Sequence, residues 1–118
     1  MASKIIVVVV RHSPFNTARD EEALRVAVGL TIANPDPAVL LLDDAVWLAL
    51  PLAPEVIDRP HVRKHWETLA DLGVRRLVER ESLDERGIAP ARLVAGVQTL
   101  SRAEVADLLA VAEAVLVY

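Results

Sequence analysis

A chain of 118 residues that is 53% apolar but only 3% aromatic reads as one domain spanning residues 1–118. Its core must be mostly Val, Leu and Ala, and the apolar excess over what so small a globule can bury predicts a subunit interface. A net charge of −4 and the absence of cysteine exclude a nucleic-acid surface as the main business, along with disulfides, thiolate metal sites and every thiol mechanism.

No apolar run exceeds about half a dozen residues, against the roughly 20 a membrane helix needs. The first residues carry one lysine and enter an apolar run with no small-residue cleavage site after it, which is not a signal-peptide pattern. A cytoplasmic protein without a membrane partner is expected.

Lys4 to Val10 is a β-branched run without alternation, the pattern of a central parallel strand buried on both faces. Thr17 can cap the next helix, with Asp20 three residues on and Glu21 and Glu22 suited to the positive helix end. Leu24, Ala27, Val28 and Thr31 then recur at helical spacing, and Asn34 before Pro35 supplies a stop. Ala38 to Leu42 predicts a second buried strand, and Asp44 is a candidate cap for a short helix through Ala49, ended by Pro51 and Pro54. Pro60 suits the first turn of a helix whose apolar face is Val62, Trp66, Leu69 and Ala70, closed by Gly73.

Val74 to Val78 predicts a third strand, and Ser82 with Glu85 a capping box for a one-turn helix closed by Gly87. After Pro90, Arg92 to Val97 is expected as a fourth strand. Ser101 with Glu104 makes another capping box, with Leu100 placed to staple to Val105, and Ala114 to Tyr118 predicts a last strand. Five strands alternating with helices imply a three-layer α/β/α sandwich around a five-stranded, mainly parallel sheet. Ligand sites in such sheets lie beyond the carboxyl ends of the strands, an edge that holds residues 11–16, Asp43 and Asp44, residues 79–82 and residues 98–100.

The loop "RHSPFNT" after the first strand has no glycine, so it is neither a dinucleotide-binding turn nor a phosphate-binding P-loop. Its helix N-terminus could take an anion with help from Arg11 and Arg19, while capping by Thr17 and turn-shaping by Pro14 account for the same residues without any ligand. Of Asp43 and Asp44, capping explains one and leaves a lone carboxylate at a strand end, with no partner base. His61 and His65 have the spacing of a two-histidine metal site, but "VRK" between them supplies no glutamate and no third ligand follows, so no metal is expected. "RPHVRKH", Arg59 to His65, is the one dense basic stretch and reads as a solvated face or a patch for an acidic partner. Trp66 is expected in the core or an interface, and Trp47 in either.

Three quoted stretches and their order carry a family resemblance: Ser13 to Thr17 after the first strand, "LLLDDAVWLALP" with Asp44, Val46 and Pro51 on the motif, and "SLDERGI" from Ser82 to Ile88. The closing "EAVLVY" fits as well. Together they resemble the DsrE/DsrF-like sulfur-relay family, most of all its TusC/DsrF branch. The resemblance implies trimers or hexamers in which a cysteine-bearing DsrE/TusD-like subunit carries persulfide near the end of the third strand, with the TusC/DsrF-like subunit as its structural companion. That cysteine region falls at about Glu79 here. A sulfane-sulfur carrier needs a thiolate, so this chain cannot itself hold persulfide. Ala45 replaces the family glycine after Asp44, which puts a left-handed turn there in question.

The expectation is therefore a non-catalytic subunit or homo-oligomer associated with sulfur relay, with no cofactor, whose partners are itself and a cysteine-bearing subunit. The rival is a stand-alone anion or small-ligand binder, or an enzyme using Asp, His and Arg at the carboxyl edge. Candidate ligand-binding residues are Arg11, His12, Ser13, Asn16, Thr17, Asp43, Asp44 and Glu79.

Overall fold

The computed structural model describes residues 5–13, 19–33, 36–51 and 60–118, without the side chains of residues 60–62. The valine and leucine runs form β1 (Ile6–Val10), β2 (Pro37–Leu41), β3 (Arg75–Glu79), β4 (Val97–Leu100) and β5 (Ala114–Val117). They make one sheet in the order β4-β3-β2-β1-β5, with every pair parallel. The uninterrupted apolar runs follow from this position: Val7 and Val9 face one side of the sheet, Val8 and Val10 the other, and all four are buried.

The helices are α1 (Arg19–Ala33), α2 (Pro60–Asp71), α3 (Arg80–Glu85) and α4 (Arg102–Val111). On one face Leu24 and Ala27 of α1, Trp66 and Leu69 of α2 and Leu83 of α3 pack against Val8, Val39 and Val78. On the other face Val105 of α4, with Leu108 and Leu109, covers Val7, Val9, Leu40 and Leu77. The chain steps from β1 to β4 with its helices on one face, then crosses back to β5 with α4 on the opposite face, as right-handed crossovers require. The continuations of β3 and β4 consequently leave the sheet on opposite sides, which makes their carboxyl ends a topological switch point.

Helix ends follow local chemistry. Gly73, at φ 74°, closes α2: its N–H bonds the Ala70 carbonyl at 3.0 Å and the Val74 N–H the Leu69 carbonyl at 2.9 Å, the paired bonds of a Schellman motif. Ser101 and Glu104 form the expected reciprocal capping box at α4, and Leu100 and Val105 share one apolar cluster.

Three expectations are corrected. The fourth strand starts at Val97, because Pro90–Arg92 makes a 3₁₀ turn and Gly96 sits at φ 87° immediately before the strand. Ser82 is no N-cap: α3 begins at Arg80 and its preceding residue, Glu79, makes no side-chain cap bond. Asp44 does not cap the short helix either, since the 3₁₀ segment Asp43–Ala49 follows Leu42 without a side-chain cap. The left-handed residue at this turn is Asp43, at φ 52°, a conformation aspartate tolerates better than most residues, so the turn does not depend on a glycine at Ala45. The predicted Thr17 cap and the stop at Asn34 and Pro35 lie outside the described residues.

Candidate functional site: the carboxyl edge of the sheet

The ends of β1, β2 and β5 frame a cavity of about 420 Å³ lined by Arg11, His12, Arg19, Asp43, Asp44 and Tyr118. The parallel register brings Val10 beside Leu41 and Val9 beside Val117, so the residues following each strand emerge together. Arg11 Nε donates to Asp43 Oδ2 at 3.2 Å, and Arg19 Nη1 lies 3.3 Å from His12 Nε2. A guanidinium only donates, so Nε2 is the accepting side of this contact. Arg11, His12, Asp43 and Asp44 are thus brought together as the sequence suggested. Ser13 is half-buried beside them; Asn16 and Thr17 lie outside the described residues.

Glu79 belongs to an adjoining network at the switch point. It is 5% exposed and holds Arg102 in a fork, accepting from Nη2 at Oε1 (3.1 Å) and from Nε at Oε2 (3.3 Å). Ser82 Oγ donates to the same Oε1 at 2.7 Å and accepts the Asp43 backbone N–H at 2.9 Å. Arg102 Nη2 also reaches Glu85 at 3.2 Å, and the Glu81 carboxylate accepts the Arg102 backbone N–H. Arg86 donates to Asp44 Oδ1 from Nε and Nη2, at 3.0 and 2.9 Å. A continuous polar chain therefore runs along the edge from Arg11 through Asp43, Ser82 and Glu79 to Arg102.

Burial pushes the Glu79 carboxyl up, but hydrogen bonds from Arg102 and Ser82 and the charges of Arg102 and Arg86 outweigh it and hold it below its ordinary range. The hydrogen bonds to Glu79 and Glu85 raise Arg102 in turn. A carboxylate so held is a fixed anion, unsuited to shuttling protons near neutral pH. Among the described residues no group of His, Asp and Glu side chains could hold a metal ion; the His61 side chain lies outside them.

Sequence reasoning passed over Arg86 and Arg102. Arg102 did leave a signal, a cation in the first turn of a helix, where the macrodipole disfavours it unless an acid answers.

The model of the DsrE/DsrF-like family matches residues 4–118. The chain belongs to the DsrE/DsrF-like family. Its fold is similar to the crystal structure of the ychN protein from E. coli, at a TM-score of 0.85 and 25% identity over 98% of this chain and 99% of that one. It is also similar to MTH1491 from Methanobacterium thermoautotrophicum, a protein of unknown function, at a TM-score of 0.73 and 13% identity over the same shares. No curated protein matches. Within this DsrE/DsrF-like fold, the all-parallel sheet and its two helical layers agree with the sandwich expected from the sequence. No helix among the described residues is long and apolar enough to cross a membrane.

Proposed function

We propose that this chain is a non-catalytic, TusC/DsrF-like subunit of a cytoplasmic sulfur-relay assembly, built as a trimer or hexamer with itself or with a cysteine-bearing DsrE/TusD-like partner. The observation that carries this reading is Glu79. In the family the persulfide cysteine belongs near the end of the third strand, and here that place is the last residue of β3, a carboxylate clamped by Arg102 and Ser82. A clamped carboxylate can neither attack a sulfane sulfur nor carry one, as that chemistry needs a thiolate. Support for assembly comes from β5: Val115 and Val117 stand in register with the buried Val7 and Val9, yet Val117 is 60% exposed and Val111 at the end of α4 is exposed as well.

Light scattering of the purified chain should give a trimer or hexamer mass at micromolar concentration. Mixing with the cysteine-bearing DsrE/TusD-like protein of the same cell should give a stable complex in which only the partner is labelled by persulfide reagents. A clean monomer that ignores the partner refutes the reading. The second reading, a stand-alone anion binder, draws on the cavity lined by Arg11, His12 and Arg19. Saturable chemical-shift changes at these residues on titrating phosphate or sulfate into a monomeric protein would favour it.

A further inference from the structure

A second cavity, of about 390 Å³, opens at the other end of the sheet, between α2 and the segment leading into β4. Its floor is Arg76, the second residue of β3, which faces α2 from among the core residues and is only 6% exposed. The guanidinium lies 4.8 Å from the centroid of the Trp66 ring, and Nη2 donates to the Ala95 carbonyl at 2.8 Å. Among the described residues no carboxylate pairs with it. The Trp66 indole N–H is buried and has no acceptor among the described residues.

Removing a guanidinium from water is costly unless an anion or a full set of acceptors replaces the water. One carbonyl and an aromatic face meet only part of that need. Gly96 is shaped around the arrangement, since a Cβ there would come within 2.8 Å of Arg76 Nη2. The outer wall has the opposite character. Glu67 and Asp71, one turn apart on α2, are exposed and line the same cavity, as does Arg63, whose Nη2 donates to the Leu50 carbonyl at 3.1 Å; among the described residues the two acids make no hydrogen bond or ion pair. Like charges at that spacing repel, so the pair favours a cation between them. Val94 and Ala70 add apolar lining.

We propose that this cavity binds a small zwitterion of the α-amino-acid type, its carboxylate on Arg76 and its ammonium group between Glu67 and Asp71, with an aliphatic side chain against Val94 and Ala70. A planar fork of donors is the side chain best matched to a carboxylate, and the volume lies within the range of small-molecule sites. The proposal is independent of the sulfur-relay reading, which concerns the opposite end of the strands.

The test is an NMR titration of the full chain with L-valine, acetate and methylammonium, following the Arg76 Nε–H and the Trp66 indole N–H. L-valine should give saturable shifts confined to this cavity, acetate should bind at least about tenfold more weakly, and methylammonium should leave both signals in place. The surface variant E67Q/D71N should bring valine down to the acetate level, and R76M should abolish binding. Should R76M fail to fold, the surface variant decides alone. Absence of saturation with valine, equal affinity for valine and acetate, or unchanged affinity in E67Q/D71N would each overturn the proposal.

Discussion

Two buried acids sit in opposite electrostatic settings, and their pH dependences should run in opposite directions. Glu79 has a partner for each oxygen, so its carboxyl is held below the ordinary value of 4.5. Its contribution to stability is present above that value and is lost as pH falls through the depressed folded value. Asp20, fully buried in the first turn of α1, has no hydrogen-bond partner for either oxygen among the described residues, and burial pushes it up from 3.8 to about 7. Its neutral form favours the fold below pH 3.8, and that advantage drains away as pH rises to about 7. Denaturant unfolding should show E79Q less stable by about 1–3 kcal/mol at pH 7, a deficit that narrows in acid. D20N should gain on the wild type by a similar amount, about 1–3 kcal/mol, between pH 5 and pH 8. Parallel curves for D20N and wild type across that window would show that Asp20 finds a partner in solution.

At the scale of elements, α4 carries more than its length suggests, because it is the one helix packed on its face of the sheet among the described residues. Its start is fixed by Ser101 and Glu104 from within and by the Glu81 carboxylate from α3. S101A should therefore cost about 1 kcal/mol and expose Leu40 and Leu77 to dye binding sooner on heating than the opposite core. An unchanged melting curve would mean that Glu81 alone suffices as the cap. That cap was legible in the sequence, as were β1 and β2, because short-range patterns specify them: two residues three apart, or an apolar run with no polar face. β4 was misplaced because "VQTL" is short and half polar and pairs with β3 alone at the sheet edge. Ser82 misled for a related reason. Its spacing from Glu85 imitates a capping box, while its hydroxyl is used by Asp43 and Glu79, the first of them brought near only by the sheet. The same holds for the clamp of Arg102 on Glu79: Glu79 was a candidate and Arg102 was not, because their meeting is a product of strand order.

For the whole molecule, the unequal cover on the two faces decides where another chain can dock. Among the described residues three helices and a 3₁₀ segment shield one face, whereas α4 shields the other and leaves the outer valines of β5 exposed. Among the described residues β5 is also an edge strand, paired only with β1, and an apolar edge of this kind is a template for association unless it is covered. A charge placed there discriminates between an interface and an incidental patch. V117E sits on an exposed side chain, so its effect on the stability of an isolated chain should stay within about 0.5 kcal/mol. If β5 forms the subunit contact, the same substitution buries an unpaired carboxylate in every copy of the interface, a penalty of several kcal/mol for each contact. Light scattering should then show the assembly of V117E dissociating at concentrations where the wild type remains whole, with far-ultraviolet circular dichroism unchanged. An undiminished mass for V117E would move the contact away from β5, to the carboxyl edge where Glu79 and Arg102 lie, and E79Q would become the variant that changes the mass.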